Sequence, residues 1–121
     1  MPRFVILQHV TPPASERGTH YDLMLEQDGK LLTWAIAEQP RAGLRTTATQ
    51  LPDHRLAYLD YEGPISGNRG AVTRVAAGEY VPGQLSETAA SFELRGPQGN
   101  WQVEMRHQAG DQWIAEFSAV A

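Results

Sequence analysis

His20-Tyr21-Asp22-Leu23-Met24-Leu25-Glu26-Gln27-Asp28-Gly29-Lys30-Leu31-Leu32-Thr33-Trp34-Ala35-Ile36-Ala37 is the stretch whose reading decides the fold. Two apolar-rich runs, residues 20–26 and 31–37, flank Gln27-Asp28-Gly29-Lys30. Asp-Gly between two such runs is a strong hairpin signal, because the tightest hairpin turns need positive φ at both central residues. Side chains alternate across a strand. The first run therefore places His20, Asp22 and Met24 on one face, and Tyr21, Leu23 and Leu25 on the other.

The same reading extends outward. Residues 3–10 are a dense apolar run ending at His9, and the proline- and glycine-bearing segment 11–19 reads as a loop. Residues 38–53 read as loop with one short strand around 45–50. Residues 54–61 alternate as a strand, with His54, Leu56, Tyr58 and Asp60 against Arg55, Ala57, Leu59 and Tyr61. A glycine-rich loop, 63–70, leads to a strand at 71–77 and a partner at 79–81. Three more strands, 91–95, 100–107 and 112–120, are parted by Gly-Pro and Ala-Gly-Asp turns. Only Gln84 to Ala90 is predicted helical, with Ser86 as its cap. About eight short strands with little helix make a mainly β domain, either a barrel or a sandwich.

With 121 residues, one domain spanning 1–121 is expected. Apolar residues make up 41% and charged residues 20%, which excludes a disordered chain. There is no cysteine, so disulfides and thiolate metal sites are excluded. The opening run is too short for a signal peptide and no stretch reaches the ~20 apolar residues of a membrane span. The expected setting is cytoplasmic, away from membranes. The net charge of −4 argues against a broad nucleic-acid-binding surface. Residues 1–74 nevertheless carry eight Arg/Lys against eight Asp/Glu, so a bound divalent cation would make that half locally positive.

Strand residues i and i+2 lie about 7 Å apart, close enough for their side chains to converge on one ion. His20 and Asp22 offer an imidazole nitrogen and a carboxylate oxygen, with His9 as a third ligand from the neighbouring strand. Such a donor set suits Mn²⁺, Zn²⁺ or Fe²⁺ better than Ca²⁺. The bland alternative is a hydrogen-bonded surface pair. On a regular strand i and i+4 share a face, so His54 and Tyr58 would point to one site.

The ordered blocks resemble a known family. Arg3 to His9, then His20 to Gly29, Leu32-Thr33-Trp34-Ala35, Asp53 to Tyr58 and Tyr61-Glu62-Gly63-Pro64-Ile65 are similar, in order and spacing, to the 3′-phosphoesterase domain of bacterial DNA ligase D. The resemblance covers roughly residues 3–65 and weakens after Gly70. It implies a small antiparallel β-barrel. It also implies a divalent metal, typically Mn²⁺ with Zn²⁺ or another transition metal as alternatives, held by His9, His20 and Asp22. His54 and Tyr58 fall on positions near the scissile phosphate. The implied partner is a nucleic-acid 3′ end, DNA or RNA/DNA, with ligase and polymerase on separate chains.

Three family cations are replaced: an Arg by Met24, a Lys by Glu38 and an Arg by Gln50. Each charged hydrogen bond lost from a phosphate costs about 1.5–3 kcal/mol. Arg69 in the glycine-rich loop is the first expected replacement, and Arg17 in the loop joining His9 to His20 the second. Arg55, on a regular strand, would face away from His54. Three readings follow. One is a metal-dependent phosphoesterase for DNA end processing. One is a metal- or nucleic-acid-binding barrel that has lost turnover. One is a barrel whose polar cluster is structural.

Overall fold

The Asp28-Gly29 turn forms as expected: both residues have positive φ, 52° and 79°, and the strands on either side pair antiparallel from Gln27↔Lys30 to Tyr21↔Ile36. This hairpin is part of a computed structural model that describes residues 1–12, 18–67 and 69–120. Its strands are β1 (Arg3–Val10), β2 (His20–Gln27), β3 (Lys30–Ile36), β4 (Arg45–His54), β5 (Gly63–Pro64), β6 (Ala71–Leu85), β7 (Ala89–Gly96), β8 (Gly99–Ala109) and β9 (Gln112–Ala119). Neighbours run β1-β2-β3-β4-β9-β8-β7-β6, and β6 pairs back onto β1. Eight antiparallel strands therefore close into a barrel, and the two-residue β5 lies outside it against β6. Closure removes the exposed edges that an open sheet would carry.

β1, β2 and β3 are apolar on both faces, which explains the unbroken Phe4-Val5-Ile6-Leu7 run. Phe4, Ile6, Leu23, Leu25 and Trp34 face the interior, where they meet Phe92, Trp113 and Phe117. Val5, Leu7, Met24 and Leu31 face outward and form a second core with Leu59 and Val72, against which Tyr58 and Ile65 pack. The segment after β4 thus lies over the outer wall of the barrel.

Several local readings are corrected. β4 runs ten residues to His54, longer than the short strand expected near 45–50, because it is paired on both sides by β3 and β9. The strand expected at 54–61 does not continue past His54: Leu56–Leu59 form a 3₁₀ turn that buries Leu59 in the outer core. The alternation there had two competing readings, and tertiary burial of Leu59 selects the turn. The two strands expected at 71–77 and 79–81 are one fifteen-residue strand. The helix expected at 84–90 does not form. Ser86 instead closes the β6–β7 turn, its hydroxyl accepting the Ala89 N–H at 3.2 Å and its own N–H donating to Ala89 O at 2.9 Å. Ala90 is then held opposite Met105 in the sheet.

Candidate metal centre

Strand register brings the ligands together. His9 on β1 sits directly opposite His20 on β2, and Leu7 opposite Asp22. All three polar side chains share the outer face, opposite to the interior Tyr21, Leu23 and Leu25. His9 Nδ1 lies 3.6 Å from Asp22 Oδ2, and His20 Nε2 lies 3.2 Å from Asp22 Oδ1. One ligand atom from each residue fits within 4.8 Å of the others. The imidazole rings are 4.7 Å apart between centroids. The Asp22 and His20 side chains are 4% and 8% exposed, so this carboxylate is buried in need of positive charge.

The second nitrogen of each ring is held by a backbone carbonyl. His20 Nδ1 donates to Gly18 O at 3.1 Å, and His9 Nε2 donates to Arg69 O at 2.7 Å. A carbonyl can only accept, so these nitrogens carry the hydrogens. In the neutral rings, His9 Nδ1 and His20 Nε2 therefore turn lone pairs toward Asp22. Two imidazole nitrogens and a carboxylate oxygen converge on one point, the arrangement of donors that a cation takes. The donor set thus fits a divalent transition metal, with the outer hydrogen bonds that commonly orient metal-bound imidazoles.

Both carbonyls come from loops shaped by glycine. Gly18 has φ +68°. Gly70 has φ +91°, and a Cβ there would stand 2.0 Å from Val10 O. The turn after β5 therefore lies directly against the end of β1, which delivers Arg69 O to His9. The Arg69 side chain turns back on its own loop, with Nε donating to Ser66 O at 2.7 Å and Nη2 to Ser66 Oγ at 3.2 Å. Arg17, the other expected phosphate contact, lies outside the described residues.

His54 and Tyr58 do meet, with rings 5.6 Å apart and nearly edge-on. They meet across the 3₁₀ turn and not along a strand. His54 Nδ1 donates to Pro52 O at 3.0 Å, which leaves Nε2 as the basic nitrogen. His54 pairs with Leu31, which pairs with Glu26 on β2. Its backbone thus lies about 13 Å along the strands and about 10 Å across them from Asp22, roughly 16 Å in all. Val5, Met24 and Tyr58 occupy the space between. The remaining histidine, His107, is bound to Gly110 O and packed on Trp113, remote from this face.

Each replaced cation has a local account. Met24 is 1% exposed within the outer apolar core. Glu38 pairs with Arg41 at 3.8 Å. Gln50 accepts the Trp113 Nε1 hydrogen at 3.2 Å. One cation was missed in the sequence. Arg74 pairs with Leu7 across β1, on the opposite side from Asp22, which puts its Cα about 10 Å from that of Asp22. Its Nε is buried without a hydrogen bond, and its guanidinium reaches Glu62 only at 3.9 Å. Glu62 also accepts the Arg74 backbone N–H at 3.0 Å, so it serves this arginine. Only the β1–β6 register, a long-range pairing, reveals that position.

Fold and cluster together define a small closed β-barrel with a His/His/Asp group on its outer wall, suited to a divalent metal. Residues 12–110 match the family model described as the DNA Ligase D 3′-phosphoesterase domain, and the chain belongs to that family. The match runs forty residues beyond Gly70, where the sequence showed strand patterning alone, and starts after His9. The Multifunctional non-homologous end joining protein LigD of Pseudomonas aeruginosa is 33% identical over 105 residues, covering 77% of this chain and 12% of that protein. The protein of the same name from Mycobacterium bovis is 30% identical over 121 residues, covering 93% of this chain and 15% of the relative. A Mycobacterium tuberculosis relative, the Multifunctional non-homologous end joining DNA repair protein LigD, shows the same identity and coverage. The chain thus spans only 12 to 15% of the length of these relatives.

Proposed function

We propose that this chain is a divalent-metal-dependent phosphoesterase acting on nucleic-acid 3′ ends, with Mn²⁺ as the metal. The carrying observation is the convergence of His9, His20 and Asp22, with both imidazoles oriented by carbonyls so that lone pairs face the carboxylate. Mn²⁺ suits mixed imidazole and carboxylate donors. Bound there, a divalent ion supplies Lewis-acid polarisation of the phosphoryl group.

The remaining chemistry belongs to the chain's own side chains. His54 Nε2 is free to take a proton from attacking water or return one to the leaving oxygen. The Tyr58 hydroxyl donates to a phosphate oxygen. Arg74 supplies a cation near Asp22. Arg69 keeps Nη1 without a bond among the described residues and, with Arg17, is a further phosphate contact. The names of the relatives support a role in processing DNA ends for joining. We place that role in the cytoplasm.

A second reading is favoured by the buried apolar Met24: a barrel that binds metal and nucleic acid without turnover. Incubation with a 3′-phosphorylated oligonucleotide, and with one ending in a 3′-ribonucleotide, separates the two. The expected result is Mn²⁺-dependent release of phosphate or nucleoside, abolished by His20→Ala and Asp22→Ala. No release above a metal-free control, across several divalent ions and with binding intact, selects the binding module.

A further inference from the structure

We infer that Lys30 and Arg55 form a phosphate-binding groove for single-stranded nucleic acid, and that the adjacent pocket at Tyr61 takes one base. This rests on the reading of the chain as a phosphoesterase of nucleic-acid 3′ ends, and it names how the strand leading to that end is held.

Two cavities adjoin at Arg55. One, of about 530 Å³, is lined by Lys30, Asp53, His54 and Arg55, where the β2–β3 turn meets the end of β4. The other, of about 250 Å³, is lined by Arg55, Tyr58, Tyr61, Ile65 and Ser66. Arg3, Arg41, Arg45, Arg74 and Arg95 each face a carboxylate. Lys30 and Arg55 enter no ion pair among the described residues. Against the single carboxylate of Asp53, they leave the groove net positive. Arg55 has this position because the chain leaves β4 at His54 and turns into the 3₁₀ segment, instead of continuing as a strand that would carry it to the other face.

The pocket beside it is a stacking platform. Tyr58 and Tyr61 stand edge to face, 5.9 Å apart at 87°. Tyr61 is 37% exposed, and its hydroxyl is fixed by donation to Pro64 O. A ring already held in place loses little freedom on stacking. Cationic grooves beside aromatic faces are the general means of holding single strands, since every base has a π-face and every nucleotide a phosphate. The groove lies about 13 Å along the strands and about 10 Å across them from Asp22, roughly 16 Å in all. A strand of a few nucleotides with its 3′ end at His9, His20 and Asp22 reaches over it.

The test is fluorescence anisotropy with a labelled, single-stranded, 3′-phosphorylated oligonucleotide, titrated at several salt concentrations. The Lys30→Ala/Arg55→Ala protein should bind about tenfold more weakly at low salt, with a log–log salt slope shallower by about 1.4, the value for two lost single-strand phosphate contacts. Tyr61→Ala should weaken binding about fivefold or more with the slope unchanged. Mn²⁺ affinity, read by electron paramagnetic resonance, should be the same in all. An unchanged slope in the double variant, or no binding by the unaltered protein, overturns the groove. Groove-dependent binding without Mn²⁺-dependent hydrolysis leaves the groove standing and overturns the phosphoesterase reading instead.

Discussion

Gly18 O and Arg69 O determine which edge of each imidazole meets Asp22, and neither is encoded by a side chain. The His-x-Asp pair was legible because strand alternation is a local property. The two carbonyls were not, because they depend on where loops come to rest. His54 and Tyr58 were legible as a pair, though through strand spacing that the chain does not adopt there. Arg74 was illegible, since its place beside Leu7 depends on barrel closure. If it holds a substrate phosphate, Arg74→Ala should weaken binding of a 3′-phosphorylated oligonucleotide by about 1.5–3 kcal/mol. Mn²⁺ affinity should be retained, and parallel titrations of metal and oligonucleotide check both. Arg69→Ala should likewise spare the metal, because the carbonyl that orients His9 remains. Loss of Mn²⁺ binding in Arg69→Ala would show that the Ser66 contacts of its side chain are what hold that loop.

Among the elements, the turn from β5 to β6 and the 3₁₀ segment carry the consequences. Gly70 lets the turn lie against Val10, and an added methyl would meet backbone on both sides of that contact. Gly70→Ala should therefore displace Arg69 O from His9 and lower metal affinity about 10–100-fold, the usual cost of losing an outer hydrogen bond to a ligand. Titration with Mn²⁺ at fixed temperature, beside a thermal melt, separates the local effect from global loss of stability. The 3₁₀ segment is held differently, by Leu59 in the outer core and by the Arg3–Asp60 pair at 2.8 Å. That hydrogen bond lowers the Asp60 carboxyl below its ordinary range. The contribution of the pair is present above the ordinary carboxylate pKa near 4 and is lost as pH falls through the lowered value. Met24 carries more of the load on this wall. Met24→Ala should cost about 2–5 kcal/mol in urea unfolding, the range for a fully buried methionine. A much smaller loss would mean the outer core collapses readily around the gap.

At the scale of the whole molecule, closure depends on β1 pairing both β2 and β6. Tyr80 on β6 reinforces that seam, its hydroxyl donating to Glu26 O on β2 at 2.6 Å. Burial pushes its phenol above the ordinary value, helped by the Glu26 and Asp28 carboxylates. The folded state then holds this proton more tightly than the unfolded chain. The resulting stability is complete below about pH 10 and is lost as pH rises from there through the raised value. Unfolding midpoints measured across that range should fall more steeply for the unaltered protein than for Tyr80→Phe. Parallel slopes would show that Tyr80 ionises in the folded state as freely as in the unfolded chain.

The sequence by itself determined the β class, the Asp28-Gly29 hairpin, the face shared by His20 and Asp22, and the family. Those readings rest on local periodicity, turn chemistry and ordered blocks of residues, all carried by neighbours along the chain. Tertiary structure alone decided that the strands close through β1 and β6, and that His9 faces His20 on the outer wall. It also decided that the chain turns after His54 instead of running on as a strand, and that Arg74 lies in register with Leu7 and Asp22. These depend on pairings between residues far apart in sequence, where register and burial choose among local conformations of similar energy.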